Sequence, residues 1–139
     1  MTQRRDSAAT REFVAALPEL ETALDEHVRD NDELLPHVFF GDVCRFARHV
    51  ARVQDDELAR RLADALERMA ASPDGEVVNV IHVSFVEYFV WGDEGDQAAF
   101  EWLSQFFGPA MLARTEEFRE YSAKLHAAAA KTSPEDVTG

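Results

Sequence analysis

The chain has a single cysteine, Cys44, in 139 residues. An intrachain disulfide is therefore excluded, and the fold must be held by its core. Proline and glycine are sparse, at five and six, so elements between the breaks can be long. No apolar run reaches the ~18 residues that crossing a bilayer requires. The opening "MTQRRDSAATREF" carries two arginines with no apolar stretch behind them, unlike a secretory signal. Positive charge is also scarce: 14 Lys and Arg stand against 27 Asp and Glu, a net charge of -13. Such a surface repels phosphate backbones and anionic membranes, which argues against nucleic-acid and membrane partners. It attracts a basic protein and speeds that encounter; it also serves solubility alone. These features together imply a cytoplasmic protein of bacterial type. Catalytic signatures are missing too. No HExxH, CxxC, ExxH or GxSxG and no phosphate loop occurs anywhere.

What remains is helical patterning. Residues 1–9 and 131–139 read as tails around one helical domain spanning 10–130. Thr10 can cap a short first turn, and Pro18 marks a start or kink. Leu20, Leu24 and Val28 form a stripe. From Pro36 to Val53, Phe39, Val43, Phe46, Val50 and Val53 share one face at about 100° per residue. Asp55 caps "DDELARRLADALERMAA", with Leu58, Leu62, Leu66 and Met69 on one side. Residues 76–91, "EVVNVIHVSFVEYFVW", are rich in β-branched residues, which favour a strand. Their length favours a buried helix, apolar on nearly all sides. Asp96 is placed to cap a further helix carrying Phe100, Leu103, Phe106 and Phe107. Gly108-Pro109 separates it from the last helix. The fold expected is all-α: a single antiparallel bundle of about six helices with 76–91 as its central, most buried, apolar member.

Polar residues within these helices are the candidates for function. "LLPHVFFGDVCRFARHV" holds His37, Asp42, Cys44 and His49. A helical metal site needs ligands at i, i+3, i+4 or i+7 on one face. His37 and Cys44 share a side, but His49 and Asp42 point elsewhere, so no metal and no cofactor is expected. Arg45, Arg48 and Arg52 form a basic stripe. Pairing with Glu19, Glu21 or Asp25 of a neighbouring helix explains it, and an anion or partner site is the alternative. Gly41 inside a helix costs roughly 0.5–1 kcal/mol relative to Ala, and close approach of another helix is the expected offset. His82 and Glu87 lie among apolar neighbours and need partners if buried. The acidic stretch "VWGDEGDQAAFEW" sets Asp93, Glu94 and Asp96 between Trp91 and Trp102. Aromatic anchors rimmed by acids suit a basic protein partner; closing one end of the bundle is the plainer role.

The combination "LPELETALDEH…LLPHVFFGDVCRF…VSFVEYF" resembles a family of small acidic bacterial proteins without assigned function, over roughly residues 17–120. That family is similar in style to the immunity proteins of toxin systems. The resemblance implies binding and neutralisation of a partner, and it attaches no catalytic residue. Two readings follow. The first is a non-enzymatic helical interaction module, toxin neutralisation being its sharpest form. The second is a small enzyme or ligand-binding domain in which His37, Asp42, His82 and Glu87 meet in one pocket.

Overall fold

A computed structural model describes residues 4–131. All regular structure among them is helical, with no strand. The elements are α1 (Arg5–Ala15), a 3-10 turn (Pro18–Leu20), α2 (Glu21–Asn31), α3 (Pro36–Val53), α4 (Asp56–Ala70), α5 (Gly75–Ile81), a π-turn (His82–Val86), α6 (Glu87–Val90), α7 (Glu94–Ser104) and α8 (Pro109–Lys131). The middle three run on without a break as one helix, residues 75–90, because every backbone angle at its two joints is right-handed helical. The β-branched residues there do not make a strand; burial of Val77, Val80, Ile81, Phe85, Val86 and Phe89 overrides local propensity.

Capping chemistry sets the boundaries. Asp55 accepts from the Leu58 amide and starts α4. Asp74 accepts from the Glu76 amide and starts α5. Pro36 and Pro109 stand at the first positions of α3 and α8, where a missing N–H costs nothing. α2 and α3 both end in a left-handed residue, Asp32 (φ 62°) and Gln54 (φ 54°), in place of the usual glycine.

Three expectations need correction. The helix α1 begins at Arg5, inside the stretch read as a tail, because Asp6 and Ser7 are buried. Thr10 is no cap: it lies mid-helix and its hydroxyl donates to the Asp6 carbonyl, 2.7 Å away. This full helix brings the number of helices to seven, counting 75–90 once. The C-terminal stretch 131–139 is helical at Lys131 and lies otherwise outside the described residues. Third, 75–90 is neither the most buried helix nor buried all round. It buries six of its sixteen residues, against seven of fifteen in α4. Val83 is 46% exposed.

The 75–90 helix packs on α1, α3, α4, α7 and α8. Phe85, Phe89, Phe100 and Phe107 form an aromatic chain through the core, with successive ring centroids 5.1, 5.6 and 5.4 Å apart. The start of α8 is fixed from a distance. No Ser, Thr, Asp or Asn precedes Pro109, and the carboxylate of Glu67 on α4 takes that role. It accepts from the amides of Ala110 (2.7 Å) and Met111 (2.9 Å). Gly108 makes room: a Cβ there would stand 2.7–2.9 Å from the Glu67 carboxylate.

Removing this cap, Glu67→Ala, is expected to cost about 2 kcal/mol, the scale of hydrogen bonds to a charged group. Gly108→Ala displaces the flexible carboxylate and loses the same bonds. The two changes are therefore strongly non-additive in a denaturation double-mutant cycle, and additive costs would contradict the cap. Phe85→Ala should cost about 3–5 kcal/mol by the same measurement.

Candidate functional site

The polar residues of the 75–90 helix gather at its π-turn. Here the Glu87 amide bonds to the His82 carbonyl, five residues back. In an α-helix five residues separate two side chains by about 140°. The wider turn brings positions i and i+5 nearer to one face. His82 and Glu87 consequently line one cleft of about 440 Å³, together with Asn79, Val83, Trp91 and, from α8, Glu117, Phe118 and Tyr121. Three of the large apolar side chains left exposed lie here: Val83, Trp91 (45%) and Tyr121 (55%). Trp91 is fixed by its indole N–H, which donates to Ser122 Oγ at 2.8 Å, and by Phe118, 5.2 Å between centroids. Negative charge comes from Glu87 and from Glu117. Arg114 donates to Glu117 Oε1 at 2.7 Å. His82 Nε2 lies 3.0 Å from its Oε2, ion-pair range but not aligned as a hydrogen bond.

On α3 the arginine stripe faces α7. Arg45, Arg48, His49 and Arg52 line a second cleft of about 450 Å³ with Gly95, Ala98, Ala99 and Trp102 opposite. The expected partners Glu19, Glu21 and Asp25 are not used. Arg45 pairs with Asp42 one turn earlier. Arg48 donates to the Tyr88 hydroxyl at 3.1 Å and lies 3.2 Å from Asp96 Oδ1. Glu19 instead takes Arg61 of α4, whose guanidinium holds the Glu19 carboxyl below its ordinary range. The stripe points away from α2 because Phe39, Val43, Cys44, Ala47 and Val50 take the buried side of α3.

The acidic stretch starts its helix one turn earlier than expected. Asp93, not Asp96, is the N-cap of α7. Asp93 accepts from the Asp96 amide (2.8 Å) and Asp96 accepts from the Asp93 amide (3.2 Å), a reciprocal capping box. The Asp96 amide holds the Asp93 carboxyl below its ordinary range. Gly95 is helical, and Gly92 is tightly enclosed: a Cβ there would meet Asp96 and the Tyr88 carbonyl at 2.5–2.8 Å. Glu94 remains exposed. Trp91 and Trp102 line different clefts, one against α8 and the other against α3.

The remaining candidates separate as well. His37 bonds Ser84 Oγ through Nδ1 at 2.7 Å. Cys44 Sγ donates to the Ser84 carbonyl at 3.2 Å, and burial pushes its thiol up to about 12. His37 and Asp42 therefore do not join His82 and Glu87. Gly41 is not approached by another helix: a Cβ there would meet only Arg45 Nη1, at 3.8 Å. Among the described residues no three His, Cys, Asp or Glu are grouped to hold a metal, and no helix is long and apolar enough to cross a membrane. Sequence reasoning missed Glu117 and Tyr121, whose only local signal is their polar or amphipathic character on α8. It also missed the core histidine His27, whose Nε2 accepts from the Leu35 amide at 3.0 Å and ties α2 to the start of α3.

These features define a helical domain with two clefts of unlike chemistry among the described residues. The chain belongs to the family described as "Domain of unknown function (DUF7674)", whose profile matches residues 10–126. No curated protein and no solved structure matches it.

Three outcomes follow from this geometry. Gly41→Ala should stabilise by about 0.5–1 kcal/mol in chemical denaturation, since the methyl group has space. Cys44 should resist thiol-alkylating reagents in the native protein and react only on unfolding. Asp93→Asn should keep an N-cap but lose the pH dependence of this one. A depressed carboxyl contributes stability above its unfolded value that disappears as pH falls through the folded one. The wild-type advantage in thermal midpoint should therefore shrink on acidification below about pH 4.

Proposed function

We propose that this protein is a non-enzymatic interaction module, and that the cleft between the 75–90 helix and α8 receives a basic segment of a protein partner. One observation carries the reading: Val83, Trp91 and Tyr121 are exposed together in a cleft that also carries Glu87 and Glu117. Large exposed apolar side chains gathered in one place mark interaction sites more than isolated ones do. Aromatic anchors in a pocket supply contact energy. Carboxylates beside them, on a chain of net charge -13, steer a basic partner and set its orientation. The pairing of tryptophan with acids expected at Asp93–Asp96 thus moves one turn away, to Trp91 with Glu87 and Glu117. In this reading the helices form one antiparallel bundle, with α8 as the outer wall of the site. Toxin neutralisation is its sharpest version, and the acidic charge supports it. The enzyme alternative loses its four-residue set, because His37 and Asp42 are engaged elsewhere.

The test is capture of a partner from the native host, followed by association kinetics at two salt concentrations. Tyr121→Ala, at an exposed position, should weaken binding by about 2 kcal/mol, roughly thirtyfold. The pair Glu87→Gln and Glu117→Gln should slow association, most at low salt. Asp93→Asn with Glu94→Gln should leave affinity nearly unchanged. Loss of binding in that last variant alone, with Tyr121→Ala inert, would return the interface to the α7 N-terminus and contradict the proposal.

A further inference from the structure

The cleft between α3 and α7 has a chemistry opposite to that of the whole molecule. Acids outnumber bases 27 to 14 in the chain, yet among the described residues no carboxylate lines this cleft, while Arg45, Arg48, Arg52 and His49 do. Its opposite wall is cut low by Gly95, Ala98 and Ala99, and is closed by the indole of Trp102. That indole is half-buried and held edge-on to Phe106, 5.1 Å between centroids. Two of the guanidiniums are held by residues outside the cleft's lining. Arg48 is positioned by Tyr88 and Asp96, and Arg45 by Asp42. Arg52 takes no carboxylate among the described residues; its Nη2 donates to His49 Nδ1 at 3.1 Å. That bond fixes His49 with its remaining nitrogen, Nε2, as a donor.

We infer that this cleft binds a small phosphorylated molecule bearing a planar ring, of the mononucleotide class. Arginine forks match phosphate oxygens bidentately, and Arg52 is the one whose fork no carboxylate occupies. An indole face stacks planar bases irrespective of their identity. The volume, about 450 Å³, is that of a small-ligand site. A polynucleotide is disfavoured, because the surrounding negative surface repels a long phosphate backbone. This site lies on a different pair of helices from the cleft of Glu87 and Tyr121, so either can fail without the other.

Isothermal calorimetry of the full chain with adenosine 5′-monophosphate tests the inference. Saturable binding at one site is expected. Arg52→Gln and Trp102→Leu should each weaken it about tenfold or more, while Tyr121→Ala leaves it unchanged. Inorganic phosphate and adenosine should each bind about tenfold or more weakly than the intact probe. Circular-dichroism melting establishes that each variant is folded, and Arg45→Gln substitutes for Arg52→Gln if that variant is not. No saturable heat at millimolar nucleotide overturns the inference, as does binding indifferent to the arginine variants. Inorganic phosphate binding as tightly as the nucleotide overturns the assignment of a planar ring, and binding of an acidic peptide alone assigns the cleft to a protein.

Discussion

One carboxylate decides where the last helix goes. Pro109 breaks the chain before α8 without supplying a side-chain cap, so the amides that follow need an acceptor. Glu67, more than forty residues earlier, supplies both oxygens to Ala110 and Met111. Gly108 is the residue that allows the approach. An anion at a helix N-terminus also meets the positive end of the helix dipole. The cap sets the start and hence the register of α8, and with it which side chains face the 75–90 helix. Glu117 then stands beside His82, Ser122 beneath the Trp91 indole, and Phe118 against its ring. The cleft is a consequence of that docking.

The second constraint is the π-turn at His82–Val86. It lets Phe85, Val86 and Phe89 stay buried while His82 and Glu87 line the same cleft. The helix is thus two-sided. Its apolar side faces the phenylalanine chain of the core, and its polar seam opens between itself and α8. On the far side of α3, the arginines that cannot enter the core meet the small residues of α7 and leave a cleft there. The domain thus carries two clefts of unlike charge. Each holds aromatic surface beside charged groups, and neither collects the expected set of His37, Asp42, His82 and Glu87.

Much of the fold could be read from local pattern. Apolar periodicity gave α3 and α4 almost to the residue, because Phe39, Val43 and Val50 or Leu62, Leu66 and Met69 recur at helical spacing. The helical state of 75–90 was legible from its length against its β-branched composition. What depended on distant contacts was not. Glu67 reads as one surface acid among many, and nothing local links it to Ala110. The π-turn has no sequence signature, and in a regular α-helix His82 and Glu87 would point about 140° apart. Gly41 suggested a close helix crossing, and the space beside it is open instead. Trp91 is half-exposed, and the acids that share its cleft are Glu87 and, from α8, Glu117. Asp93 and Asp96 are bonded to helix amides in a capping box, while Asp93 stays exposed.

The cleft depends most on α8 being held against the 75–90 helix by Glu67. Residue-resolved hydrogen exchange reads this directly. In the native protein the amides of Ala110 and Met111 and the indole N–H of Trp91 should exchange slowly. In Glu67→Ala all three should lose protection together, while the amides of α4 keep theirs. Loss confined to Ala110 and Met111, with the Trp91 indole still protected, would show that the cleft stands without the cap and would contradict the account.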